Sequence, residues 1–279
     1  MIYALKKIGE PRIKATKGER AICPFCQTEV IARCGEINEW HWAHKTKQIC
    51  DPWQARETKW HLDQKKQFDE RFTEVTIKKG NEKHIADVAI PLNPGQQTDL
   101  FNKQDPQYFV FEFQNSPISP ETIREREGFY QNMAWVFNLW KRSDDQFQFL
   151  NSLLDDGYLT FRWKHAKKSV LTANRKVFLD LYNSSTLLLV RRFYSEKTPV
   201  TGWGYSVKMA ELVQTAMRNE KEDYSTDRKR YLEILFSITE RRELNDKKRW
   251  WINTFENFYM DNGYLSKRQT RILQKFALT

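Results

Sequence analysis

Residues 108–119 read YFVFEFQNSPIS. Four of the first six are aromatic and one is valine, so aromatics fall on both faces of an extended segment. That pattern predicts a strand covered on both sides. Glu112 and Gln114 stand two apart and therefore point to the same side of it. A lone buried charge is costly, and buried carboxylates are normally paired or bound to a metal.

The surrounding chain offers partners for Glu112. Asp87 sits in HIADVAI, another apolar strand, which joins TEVTIKKG through a hairpin-type turn at Gly80-Asn81. Upstream, Asp51-Pro52 reads as a helix start, followed by WQARETKWHLDQKKQFDERF. At 100° per residue Trp53, Trp60, Gln64, Phe68 and Phe72 share one stripe, with Glu57 within it and His61 on its flank. Two strand acids and one helix acid can thus converge. Two adjacent carboxylates repel unless a cation sits between them. Mg²⁺ (or Mn²⁺) suits such oxygen ligands.

Downstream, Ser119-Pro120 starts a helix over ETIREREGFYQNM, and AWVFNLW is a further apolar strand. The order helix, strand, strand, strand, helix, strand predicts an α/β sandwich. Polar residues 91–107 read as a loop. LTFRWKH, KVFLDLY and TLLLVRRFY read as strands, and from about residue 206 the pattern is helical. The expected divisions are 1–50, 51–150, 151–205 and 206–279, without internal repeats.

The chain of 279 residues carries a formal charge of +10, with 10 Trp, 11 Tyr and 18 Phe. The aromatics supply ample core, which excludes disorder. The excess of positive charge favours an anionic partner, nucleic acid above all. The segment FRWKHAKKS at 161–169 interleaves aromatics with cations, a pattern suited to a phosphate backbone or equally to a solvated strand end. The start lacks a signal-peptide pattern and no run approaches a membrane span, so a cytoplasmic protein is expected.

In such a setting four cysteines are metal ligands or free thiols rather than disulfides. Cys23 and Cys26 form C-P-F-C, and His41 and His44 form H-W-A-H. Together they predict a structural zinc-ribbon-like module, with Cys34 and Cys50 as rival ligands.

The order Glu57, Asp87, Glu112-x-Gln114 resembles the core of PD-(D/E)xK nucleases. With CPFC, HWAH, ADV, EFQNSPIS and REREGFY, the run over residues 20–140 is similar to the competence protein CoiA-like family. The resemblance implies a restriction-endonuclease-like mixed sheet flanked by helices. It also implies a Mg²⁺-dependent deoxyribonuclease set in DNA uptake or processing. By the same resemblance Asp87 and Glu112 would bind the metal, with Glu57 as a looser match and Gln114 beside the attacking water. Ser116, Arg126 and Tyr130 match polar positions that would bind substrate, with Arg124 on the same helix.

Gln114 stands where most of these enzymes carry lysine, so a cation must come from Arg124, Arg126, Lys65, Lys66 or a second metal. Two other readings follow: a catalytically inactive DNA-binding or recombination-associated scaffold, and a defence nuclease whose helical tail recruits a protein partner.

Overall fold

The computed structural model describes residues 1–36, 39–45, 50–53, 57–92, 107–140, 146–152, 158–182, 185–193, 199–217 and 250–252, with 254, 255, 269 and 272. The chain divides into two compact units, Met1–Asn138 with Thr172–Val177, and Leu139–Leu171 with Phe178–Thr279.

The first unit opens with five short strands, β1 (Tyr3–Leu5), β2 (Arg12–Lys14), β3 (Arg20–Ile22), β4 (Glu29–Arg33) and β5 (His41–His44). They form an antiparallel sheet in the order β2-β1-β3-β4-β5. Its core is small: alanines 4, 15 and 21, Cys23, Phe25, Val30 and Trp42. The Trp42 indole N–H reaches the Ile13 carbonyl at 3.1 Å, so the largest side chain of that core is also hydrogen-bonded.

Next come α1 (Lys59–Lys65), β6 (Thr73–Lys79), β7 (Glu82–Pro91), β8 (Tyr108–Gln114), α2 (Pro120–Tyr130) and β9 (Met133–Asn138). This is the element order read from the sequence. Strands β6, β7 and β8 pair antiparallel, and β8 pairs parallel with β9, so the sheet is mixed. The parallel pair requires a crossover, which α2 supplies. Gly80 turns the β6–β7 hairpin with φ +59°, a left-handed conformation glycine adopts without a Cβ penalty.

The expected two-sided burial of β8 is observed, since every residue from Phe109 to Gln114 is buried. Phe68 packs on Phe111 and Phe113 with centroids 5.6 and 5.9 Å apart, and Trp60 meets Phe113 edge-on. Helix α2 covers Glu112 on the other side. Ser119 caps α2 by accepting the Thr122 N–H at 3.1 Å, with proline in the first turn. Glu127 of α2 is buried and accepts from the Trp135 indole and from the Asn174 and Arg175 backbone N–H groups.

Helix α1 is shorter than its periodicity predicts. Thr58 is its N-cap, accepting the His61 N–H at 3.3 Å, so Glu57 precedes the helix instead of riding on it. Asp51 does not cap a helix. Its Oδ1 accepts the Trp53 N–H at 3.0 Å and its Oδ2 accepts the Ile85 N–H at 2.7 Å, which turns the chain and pins it to β7. Short polar side chains offer the backbone such local alternatives to helix.

Further along are β10 (Phe147–Ser152), β11 (Tyr158–Trp163), α3 (Lys168–Thr172), β12 (Lys176–Asp180), β13 (Thr186–Phe193), β14 (Val200–Lys208) and α4 (Leu212–Met217). Within the second unit β10, β11, β14 and β13 are neighbours in that order, all antiparallel. Helix was expected from about residue 206, but residues 206–208 close the strand VTGWGYSVK, which is held on both edges, and α4 is the described helix that follows. The strand's two glycines hide its signal. The helices expected over 218–249 lie outside the described residues, as do residues 93–106 of the polar loop. Among the described residues no helix is long and apolar enough to cross a membrane.

Gly204 of β14 leaves no space for a side chain, since a Cβ there would lie 2.1 Å from the Leu189 carbonyl oxygen. Gly204→Ala is therefore expected to destabilise the fold by about 1–3 kcal/mol. A thermal melt unchanged from wild type would refute that.

Candidate active site and metal centre

On β5 the side chains alternate, so His41 and His44, an odd number apart, face opposite ways. The structure shows the consequence. Cys23, Cys26, His44 and Cys50 bring one ligand atom each to within 4.8 Å of one another. His41 instead meets the Glu39 carbonyl at 2.8 Å. The expected Cys₂His₂ set is thus corrected to Cys₃His, with Cys50, one of the two rival cysteines, in place of His41. Strand parity keeps the two histidines out of one site but does not choose which cysteine completes it.

The C-P-F-C turn is shaped by backbone bonds from Gln27 to Cys23 and from Cys23 to Thr28, with Gln27 at φ +61°. Cys26 Sγ lies 3.1 Å from His44 Nε2, and Cys23 Sγ 4.0 Å from Cys50 Sγ. The hydrogen bond from Cys50 holds the Cys23 thiol below its ordinary range, and the same bond raises Cys50. Three soft sulfurs and an imidazole are the donor set a structural metal such as zinc takes. A core this small would gain much of its stability from such an ion.

The second cluster lies where β7 and β8 part. Their register runs Pro91–Tyr108, Ile90–Phe109, Ala89–Val110 and Val88–Phe111. One step on, Asp87 comes opposite Glu112, and there the Phe113 N–H donates to the Asp87 carboxylate at 2.9 Å instead of continuing the ladder. The ladder thus breaks where the two acids stand, and they are near enough for the charge of Asp87 to act on Glu112.

Each acid has its own counter-group. His61 Nε2 lies 2.9 Å from Asp87 Oδ2, and Arg126 NH1 lies 2.5 Å from Glu112 Oε2. Burial alone would raise the Asp87 carboxyl, but His61, Lys65 and the Phe113 N–H outweigh it and hold it well below the usual range. For Glu112 burial wins: the carboxyl is pushed up, with Asp87 adding to the push and Arg126 offsetting only part of it. His61 is raised by Asp87 against the pull of burial.

Glu112 Oε1, Arg126 Nε and the Tyr130 hydroxyl are buried without a hydrogen-bond partner among the described residues. Buried polar groups are rarely left so unless a water, ion or ligand completes them.

The other predicted residues are distributed around this pair. Gln114 is buried and donates to the Ser116 carbonyl at 2.7 Å and to its hydroxyl at 3.1 Å. Arg124 is on the exposed side of α2, paired with Glu121, and Lys66 pairs with Glu39 at the surface. Glu57 is bonded to Lys65, whose ammonium also reaches Glu74 at 2.8 Å. Burial lowers Lys65, but Glu74, Glu57 and Asp87 together raise it.

Of the four candidate cations, Arg126 and Lys65 are therefore the buried ones: Arg126 pairs with Glu112, and Lys65 with Glu57 and Glu74. The three carboxylates do not meet: among the described residues the Cys₃His group alone gathers three or more ligand atoms within 4.8 Å. His61, on the flank of the stripe, fills the place beside Asp87 expected of Glu57. The spacing Glu57, His61, Lys65, four apart each time, is the signal that unites them.

A mixed α/β domain with two opposed carboxylates in a strand splay, preceded by a Cys₃His sheet, defines the class. Residues 57–197 match the family described as competence protein CoiA, nuclease-like domain, and residues 5–52 match competence protein CoiA, N-terminal domain. The chain belongs to the CoiA family. No curated protein and no solved structure matches it.

The metal centre is tested by content. Cys50→Ser is expected to lower bound zinc well below the wild-type level of about one per chain, while His41→Ala leaves it unchanged. Elemental analysis giving the reverse would restore the Cys₂His₂ set.

Proposed function

We propose that the protein is a Mg²⁺-dependent nuclease that hydrolyses phosphodiester bonds in DNA, on a restriction-endonuclease-like core, in the context of DNA uptake and processing. One observation carries the reading: Asp87 and Glu112 oppose each other at a break in the strand ladder, with Glu112 Oε1 buried and unpartnered. The nuclease-like match over residues 57–197 and the net charge of +10 support it.

The donors fit the ion. Carboxylate oxygens are what Mg²⁺ binds, and Asp87 and Glu112 are the residues that would hold it. When bound, such an ion polarises a phosphoryl oxygen and lowers the pKa of water.

The chain's own groups do the rest. Asp87 is kept ionised by His61 and the Phe113 N–H. With its amide nitrogen committed to Ser116, Gln114 presents its amide oxygen to orient an attacking water. Glutamine brings no charge, so positive charge for the phosphate comes from Arg126, which an arriving anion draws from Glu112. Lys65 supplies a second cation behind Asp87. Glu57 acts through Lys65 rather than on the ion, and Arg124 offers an exposed contact to the backbone of the substrate.

The inactive DNA-binding scaffold has an observation of its own. Arg126 occupies Glu112 as a cation would, and Gln114 stands at the usual lysine position.

Plasmid and single-stranded DNA incubated with Mg²⁺ or with chelator separate the two readings. Cleavage that needs Mg²⁺ is expected, and Asp87→Ala and Glu112→Ala should each lower it at least about 100-fold, the scale of losing one preorganised charge-stabilising group. Binding measured by gel shift should persist in both variants. Binding without any cleavage by the wild type would favour the scaffold, and undiminished cutting by both variants would remove this site from the reaction.

A further inference from the structure

A second buried cluster lies between the two sites. Asp51 is fully buried and directly follows the ligand Cys50. Its Oδ1 accepts from Trp53 N–H and lies 3.0 Å from His84 Nδ1, while its Oδ2 accepts the Ile85 N–H. His84 is itself buried, and its Nε2 lies 3.0 Å from Glu82. The Trp53 indole stacks on the His84 ring, 3.3 Å between centroids and 9° between planes. Trp53 then carries the contact onward. Its carbonyl accepts from Arg126 NH2 and its ring lies 5.5 Å from the guanidinium carbon. The other terminal nitrogen of Arg126 is the one bonded to Glu112.

We propose that Asp51 is a positioning residue through which the Cys₃His centre sets Arg126, and so the counter-charge of Glu112. The geometry explains why a carboxylate occupies this place. One oxygen fixes the turn that aims the Trp53 carbonyl, and the other fixes that turn to β7, two residues before Asp87. A metal-held Cys50 anchors the near end of the same segment. Residues 50–53 therefore bridge the metal centre and the α2 arginine without touching either acid. Planar guanidinium groups hold geometry best when several acceptors fix them at once, and here a carbonyl, a ring face and a carboxylate do so.

The inference rests on the reading of Glu112 as a catalytic acid, but its test does not require cleavage. In ¹⁵N-arginine-labelled protein, free of DNA and Mg²⁺, solvent exchange of the Arg126 guanidinium is followed, with the signal assigned by Arg126→Lys and exposed Arg124 as the internal control. Asp51→Ala is expected to speed Arg126 exchange by about tenfold or more while leaving Arg124 unchanged, as a local opening does. Asp51→Asn retains an acceptor for Trp53 N–H and His84 and should stay nearer wild type. Stripping the metal with chelator should act in the same direction as Asp51→Ala. If Asp51→Ala does not fold, His84→Phe, which keeps a ring under Trp53 but removes the bond to Asp51, carries the same measurement. Arg126 exchange unchanged by the folded variant and by chelation overturns the proposal. Faster exchange in a protein that cuts no DNA upholds the coupling and rejects only the nuclease reading.

Discussion

The ion pair between Glu112 and Arg126 is the interaction on which the centre of the first unit depends. Strand β8 is covered on both faces, so Glu112 is withdrawn from bulk solvent. Opposite it stands Asp87, a second acid whose charge is fixed by His61. A buried carboxylate beside a second acid demands positive charge, and Arg126 of α2 delivers it. Removing one member of such a pair strands the other, which is why buried pairs are costly to break even when they add little net stability. The same demand that holds the arginine would hold a divalent ion, so structural need and candidate chemistry are two aspects of one electrostatic problem.

Much of this was legible in the sequence, and the reason differs by element. Strand β8 declared itself by aromatics on both faces, α2 by Ser119 and Pro120, and the β6–β7 hairpin by Gly80. These signals are local and act through one residue's sterics or one cap. The face-to-face placement of Asp87 and Glu112 was anticipated only as a convergence. What decided it was the register of β7 against β8 and the point where the ladder breaks, and no single residue encodes either.

The failures have equally physical causes. The stripe through Trp53, Trp60 and Phe68 fits a long helix, yet Asp51 and Thr58 divert the backbone into a turn and a cap, and the helix is only seven residues long. HWAH looked like a ligand pair because two residues between histidines suit a helix or a knuckle, whereas on a strand that spacing sends them apart. Strand β14 was missed since Gly202 and Gly204 carry no hydropathy, although close approach of β13 is what requires Gly204. His84 drew no notice in the sequence and Asp51 was read only as a helix start, because a buried polar bridge has no periodic signature.

Glu127 has a bearing on how the chain can be taken apart. It reaches from α2 to the backbone of Asn174 and Arg175, so the first unit recruits a short stretch from far downstream. A fragment ending near residue 150 would keep every candidate catalytic side chain and still leave that buried carboxylate with the Trp135 indole in place of three donors. The working portion of this protein is therefore discontinuous along its polypeptide, and truncation by inspection of motifs alone would cut through its support.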